Sequence, residues 1–252
     1  RYAIYKNSKT IEEILPKLGR LKKTLYINKT DTEIDILNKL INARNEGNLD
    51  VFFEKSTYTF SEVYTYMKDT LGWSWTMGLP LGDNCRYYLN GSTIISNPPT
   101  EEYTESRNIF DTRASAINFE LHDGILINNG GTYCVHDEGY NKTNANGRIK
   151  HLYKNLTMKY NQGDTTTYIG KCIGGGTSAD GSVEIDSCIF ISNNSVYVPN
   201  TTNYDTPVNW HGNIENDDAL EFELYIHDSY VEGKNGTISF TSVGGDIDIS
   251  RF

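Results

Sequence analysis

Asn97, Asn129, Asn161 and Asn193 lie 32 residues apart, and each closes a short apolar run. The runs are Thr93-Ile94-Ile95-Ser96, Ile125-Leu126-Ile127-Asn128, Thr157-Met158-Lys159-Tyr160 and Ile189-Phe190-Ile191-Ser192. Leu89, Leu121, Tyr153 and Ile185 keep the same period, and the theme returns after a longer gap as Leu224-Tyr225-Ile226-His227-Asp228-Ser229-Tyr230-Val231. Self-similarity at a fixed period of this length marks a stacked array.

Each unit reads as two short strands around a polar corner. Phe119-Glu120-Leu121 leads through His122-Asp123-Gly124 to Ile125-Leu126-Ile127, and Val183-Glu184-Ile185 leads through Asp186-Ser187-Cys188 to Ile189-Phe190-Ile191. Period-two alternation turns Leu121 and Ile185 inward. Coils stacked at the inter-strand spacing place equivalent side chains above one another, so aliphatic residues form ladders and the asparagines hydrogen-bond along a ladder. The expected fold is all-β: a right-handed, single-stranded parallel β-helix with about three strands per coil. No helical pattern lies between the strands, which argues against leucine-rich and ankyrin arrays. A β-sandwich with accidental periodicity is the plainer alternative.

Asp and Glu outnumber Lys and Arg 33 to 23, for a net charge of −10, which disfavours a nucleic-acid partner. The first 30 residues depart from this balance, with Arg1, Lys6, Lys9, Lys17, Arg20, Lys22, Lys23 and Lys29 set against Glu12 and Glu13. Ile11, Ile14, Leu15, Leu18 and Leu21 recur there at helical spacing, interrupted by Pro16. Residues 1–30 are therefore read as a basic connector or docking segment, or as a leader covering the first coil, and residues 31–252 as the β-helix domain. Cys85, Cys134, Cys172 and Cys188 lack CxxC spacing, so no zinc site and no other metal or cofactor is expected. The chain contains no 20-residue apolar stretch, so membrane insertion is not expected either.

Thr30-Asp31-Thr32-Glu33 is a capping-box pattern, and Ile34, Leu37, Leu40 and Ile41 form an apolar stripe that ends near Gly47. A helix over about 31–46, laid across the open end of the first coil, would shield its core and its unpaired strand edge. Gly47, Val51-Phe52-Phe53 and Ser56-Thr57-Tyr58 resemble the helix, strand and Gly-Thr-Tyr signature of the pectate-lyase-like superfamily, in the version found in bacteriophage tail spikes and tail fibres, with Ser56 in place of the Gly. Gly78-Leu79-Pro80-Leu81 and Asn90-Gly91-Ser92-Thr93-Ile94 are similar to that family's segment before its second coil. The resemblance spans roughly residues 31–250 and specifies fold better than chemistry, since one solenoid serves lyases, hydrolases and binders.

Polygalacturonase-like members carry Asn-Thr-Asp, Asp-Asp, Gly-His-Gly and Arg-Ile-Lys motifs in that order. Here Arg148-Ile149-Lys150 precedes His211-Gly212-Asn213 and Asn216-Asp217-Asp218, so the order is reversed and the first motif is missing. Glycoside hydrolysis needs two carboxyls at a defined separation, for which Asp137 with Glu138, or Glu215 with Asp217 and Asp218, are the catalytic candidates; solvated loops of an acidic protein are the plainer reading. Calcium-dependent lyase chemistry would need clustered acids on one coil face, and none is evident. His122-Asp123 and His227-Asp228 recur at equivalent corners, as turn geometry favours. Trp210 and His211 open a polar excursion suited to sugar stacking, with a core-edge tryptophan as the plainer reading, and Trp73 and Trp75 form a second aromatic patch that either seals the cap or makes an exposed contact surface.

The resemblance implies a virion tail appendage that supports host attachment through a cell-surface polysaccharide or glycan, joined to other virion tail proteins and assembled as a homotrimer. A polysaccharide-degrading enzyme and a secreted or bacterial surface adhesin are the alternatives. The missing carboxylate constellation weighs towards binding over catalysis.

Overall fold

In the computed structural model, residues 22–99, 106–112, 118–137, 149–161, 170–177, 181–193, 206–212, 222–233, 236, 238–241 and 246–249 are described. The chain enters as β1 (Lys23–Ile27), turns into α1 (Glu33–Glu46), and makes a first circuit through β2 (Leu49–Phe53), β3 (Thr57–Phe60), α2 (Glu62–Asp69) and β4 (Thr76–Pro80). The following circuits each pair one long bent strand with a second: β5 (Cys85–Ser96) with β6 (Ser106–Asp111), β7 (Asn118–Asn129) with β8 (Tyr133–His136), and β9 (Ile149–Asn161) with β10 (Lys171–Thr177). Beyond them the bend becomes a break, giving β11 (Gly181–Asp186), β12 (Ile189–Asn193) and β13 (Val208–Gly212), then β14 (Phe222–His227), β15 (Tyr230–Gly233) and β16 (Ile238–Thr241). β17 (Asp246–Ile249) pairs with β14.

Every pairing is parallel, and the strands fall on three faces of a parallel β-helix. The first face holds β1, β2, the leading halves of β5, β7 and β9, and then β11, β14 and β17. The second holds β3, the trailing halves of β5, β7 and β9, and then β12 and β15. The third is the six-stranded sheet β4-β6-β8-β10-β13-β16.

One non-glycine residue in the left-handed region marks each corner between the first two faces: Asn90 (φ 53°, followed by Gly91 at φ 73°), Asp123 (φ 60°), Asn155 (φ 53°), Ser187 (φ 56°) and Asp228 (φ 51°). Asn and Asp tolerate this conformation because their short side chains bond locally. Asn155 also donates from Nδ2 to Asp123 Oδ1 at 3.0 Å, tying one corner to the next. Asp123, Ser187 and Asp228 lie in the polar corners read from the sequence, and Asn90 and Asn155 complete the row.

The core is built of ladders. Val51, Tyr87, Leu121, Tyr153, Ile185 and Ile226 stack on the first face, all buried. Tyr58, Ile94, Leu126, Met158 and Phe190 do so on the second, and Leu79, Phe110, Val135, Ile173 and Val208 on the third. Each such side chain contributes about 1.5–3 kcal/mol of burial. The expected stack of Leu121, Tyr153 and Ile185 is present, with one correction upstream: Tyr87, not Leu89, is the rung neighbour of Leu121. The β5 bend is longer than the β7 bend, shifting the register between Tyr88 and Ser92. Leu89 packs instead over Gly124, where an added Cβ would lie 2.5 Å from Leu89 Cδ1, so only glycine fits.

The asparagine ladder is present over its whole length. Nδ2 of Asn129, Asn161 and Asn193 donates to Oδ1 of the preceding member, at 2.7, 2.8 and 3.0 Å. Asn161 both donates and accepts. Replacing it with alanine removes two amide bonds and should cost about 1–3 kcal/mol, read as a lower urea midpoint, whereas Asn97→Ala at the end of the row should cost about half as much. Equal losses from the two variants would mean that the row acts as separate side chains.

The helix over 31–46 is α1, with its cap placed two residues later than the sequence pattern suggests. Thr32 is the N-cap, exchanging bonds with Asp35, and Gly47 (φ 65°) closes the C-terminus. Glu33, released from that role, accepts from the backbone N–H groups of Ser61 at 2.7 Å and Val63 at 3.0 Å, and so caps α2. α2 is absent from the sequence reading because its eight residues sit between strands; the signal was Val63, Tyr64 and Met67 on one buried face. α1 buries Ile36, Leu37, Leu40 and Ala43 and packs against β1, β2, β4 and α2.

Candidate functional site

Outward-facing side chains on the first face form three columns along the helix. One runs Asp50, Arg86, Glu120, Leu152, Glu184, Tyr225. Beside it runs Tyr26, Phe52, Tyr88, His122, Lys154, Asp186, His227, and on its other flank Asn118, Lys150 and Ser182. Between the first and third columns lies a cleft of about 250 Å³, with Lys22, Asn84, Asn118 and Lys150 along one side and Arg86, Glu120, Leu152 and Glu184 along the other. This cleft is the candidate binding site.

Its polar walls are held from outside. Asp50 accepts from Arg86 Nε at 2.7 Å and Nη2 at 2.6 Å, a bidentate grip that fixes the guanidinium plane and raises its pKa. Glu120 is bonded to His122 at 2.9 Å, and Glu184 to His227 at 3.0 Å. Asp83 Oδ1 accepts from the Asn118 backbone N–H, and Lys22 Nζ donates to the Asn84 carbonyl at 2.6 Å. Amides, carboxylates and cations thus surround the apolar Leu152, a lining suited to a polyhydroxylated ligand.

The neighbouring aromatic column stacks on itself. Ring centroids are 6.0 Å apart for Tyr26 and Phe52, 4.9 Å for Phe52 and Tyr88, and 5.0 Å for Tyr88 and His122, with planes 28°, 13° and 14° apart. The faces are therefore used within the column and the edges point outward; Tyr26 at its end, 62% exposed, keeps one open face. Spacings of 26, 36 and 34 residues hid this column, because coil length varies where loops intervene.

The lower part of the column is ionic. Lys154 Nζ lies 2.6 Å from Asp186, and His227 meets Glu184, Asp228 at 3.3 Å and Asp186 at 3.6 Å. Ligand atoms of Asp186, His227 and Asp228 lie within 4.8 Å of one another, but Lys154 already supplies the cation there. The Glu184 bond, then Asp228 and Asp186, raises the His227 pKa against a smaller desolvation effect. A raised folded-state value adds stability that is complete below the ordinary histidine value near 6.5 and fades as pH climbs through the folded value. The urea midpoint should therefore fall above about pH 6.5, and His227→Gln should remove that part of the slope. An unchanged slope in the variant would show that His227 does not titrate against these acids.

The sequence-based site residues are scattered. Trp210 lies on β13 and is 1% exposed, inside the core, where it presents no ring to a ligand. His211 follows it on the same strand, and its side chain lies outside the described residues. Trp73 packs partly buried against the core, while Trp75 is 59% exposed. Trp75 sits edge-on to His136 at 6.0 Å on the outside of the third face, and His136 stacks on Tyr133 at 4.9 Å. The buried Asp111 beneath accepts at Oδ2 from Asn108 Nδ2 at 2.9 Å and bonds there to Thr76 and to His136 at 3.2 Å, so this oxygen is engaged within the fold.

Asp137 is 1% exposed and points into the helix. Its Oδ2 accepts from His151 Nδ1 at 2.9 Å and from Tyr153 OH at 2.7 Å; its Oδ1 has no partner among the described residues. Burial, then the Asp137 charge, pushes the Tyr153 phenol well above its usual pKa. This is an interior clasp, closed to a polymeric substrate. Glu138, Glu215, Asp217 and Asp218 lie outside the described residues. The four cysteines are free and buried, in keeping with small apolar roles.

Comparison with known proteins finds no matching family model, no matching curated protein and no matching solved structure. The class defined by the fold is the parallel β-helix, and the site defined on it is a polar cleft on one outer face.

Proposed function

We propose that this chain is the β-helical body of a bacteriophage tail appendage, of the pectate-lyase-like kind, that supports host attachment by binding a cell-surface glycan. The observation that carries the reading is the first-face cleft, where amide, carboxylate and cationic groups are fixed by neighbours around Leu152. Rigid, pre-positioned polar groups lower the ordering cost of holding a sugar. The second face offers a flank for assembly with virion partners or other copies as a homotrimer. Ile125, Thr157, Ile189 and Tyr230 form one outward row, and Ile95, Ile127 and Ile191 stand in the next, interrupted by Lys159. Ile189 and Tyr230 are exposed, and a flat apolar patch of this kind suits a protein contact.

A second reading, polysaccharide cleavage, is favoured by one observation: Glu120 and Glu184 stand on either side of Leu152 in the same cleft. Two rungs separate their backbones by about 9.5 Å, at the upper end of the carboxyl spacing of inverting glycosidases. Glycan-array binding by the full chain, paired with a reducing-end assay on the polysaccharides bound, separates the readings. Binding without new reducing ends supports attachment alone; release of reducing ends that stops in Glu120→Gln supports an enzyme; no binding to any glycan overturns both.

A further inference from the structure

Two Asn-Gly pairs lie among the described residues, Asn90-Gly91 and Asn129-Gly130, and the fold holds them differently. Asparagine before glycine is chemically labile, because glycine has no Cβ to keep its backbone nitrogen from approaching the carbonyl carbon of the asparagine side chain. The approach needs a glycine N–H without a carbonyl partner and a side chain free to turn. Asn129 meets neither condition. Its Nδ2 donates to Asn97 Oδ1 at 2.7 Å, its Oδ1 accepts from Asn161 Nδ2 at 2.8 Å, and the Gly130 N–H donates to the Asn161 carbonyl at 2.8 Å.

Asn90 stands exposed at a corner with φ 53°, and Gly91 follows it, also exposed, at φ 73°. The pairing of β5 with β7 breaks between Tyr88 and Ser92, that with β2 ends at Tyr88 and that with β3 begins at Thr93, so neither residue is a rung. One bond holds the side chain, from Nδ2 to the Phe53 carbonyl at 2.9 Å. It engages the nitrogen that would leave, not the carbonyl that would be attacked. Lys55 Nζ lies 3.8 Å from the position a Cβ on Gly91 would take, which sets a cation beside this corner. The next corners lack the combination. Asn155 precedes Leu156, and Gly124 after Asp123 is a rung paired with Ser92 and Leu156.

We propose that Asn90 is a self-modifying site, converted by water to aspartate and isoaspartate while the protein stays folded. The Gly91 backbone nitrogen gives its proton to solvent and bonds to Asn90 Cγ. The Cγ–Nδ2 bond breaks, and the amide nitrogen leaves as ammonia with a proton returned from solvent. The resulting succinimide takes up one water and opens at either carbonyl, with no change of oxidation state. Both products replace the Nδ2 donor with a carboxylate oxygen, so the bond to Phe53 is lost and a negative charge appears beside Lys55. Isoaspartate also adds a methylene to the backbone of the β5 bend. The corner that joins the first two faces in β5 therefore loosens as the molecule ages.

The test incubates the full chain in mildly alkaline buffer, once folded and once in concentrated urea, and follows both Asn-Gly peptides by mass spectrometry with an enzymatic assay for isoaspartate. In the folded chain, Asn90 should convert roughly tenfold or more faster than Asn129, since three hydrogen bonds hold the second site against one at the first. In urea the two rates should become similar. Asn90→Gln should keep its urea midpoint through the incubation, while the natural chain drifts downward towards the midpoint that Asn90→Asp shows from the start. Equal rates at the two sites in the folded chain overturn the inference. So does an Asn90 that stays intact when folded and converts only in urea, because the corner would then protect it as the ladder protects Asn129.

Discussion

Trp210→Ala should destabilise the fold by about 3–5 kcal/mol, the cost of deleting a large aromatic side chain from a packed interior. Trp210 stands on the third face, 1% exposed, and its rung neighbour on β10 is Gly175. That neighbour brings no side chain to fill the space that a missing indole would leave. With total stabilities of about 5–15 kcal/mol, the loss is a large share of the whole. Urea unfolding followed by far-ultraviolet circular dichroism reads it directly. A midpoint close to that of the natural sequence would mean that Trp210 is not a core residue, and would reopen its use as a stacking platform.

Asp137→Ala should cost about 2–5 kcal/mol, because it removes the carboxylate that accepts from the buried Tyr153 hydroxyl and is bonded to His151 Nδ1. Asp137→Asn keeps one carbonyl oxygen and should cost less. Tyr153→Phe in the alanine background should recover part of the loss, since it removes one stranded donor. This recovery is the sign of an interior clasp. If Asp137→Ala unfolded at the natural midpoint while abolishing a glycan-directed activity, Asp137 would belong to a catalytic centre instead.

Much of the fold was legible because a β-helix repeats its geometry in its sequence. The Asn97, Asn129, Asn161, Asn193 row is visible as a fixed spacing, and it is a hydrogen-bonded ladder in space. Where the bend lengthened, between Tyr88 and Ser92, the same logic selected Leu89 over Tyr87. The period locates residues only while coil length is constant. That limit also explains the site. Arg86, Glu120, Leu152 and Glu184 are adjacent in space, yet alternation marks them merely as outward positions, and nothing local separates a cleft from solvated surface. Trp210 and Asp137 drew attention through residue type, but a tryptophan on a strand and an acid beside a histidine-bearing strand serve the interior equally well.

The most direct measurement is the affinity of a Leu152→Arg variant for whichever array glycan binds the natural chain. Leu152 faces outward between Glu120 and Glu184, so a longer side chain fills the cleft without entering the core. The account predicts a loss of tenfold or more in affinity with an unfolding midpoint within experimental error of the original. Undiminished affinity in a folded variant would contradict it, placing glycan recognition elsewhere on the molecule.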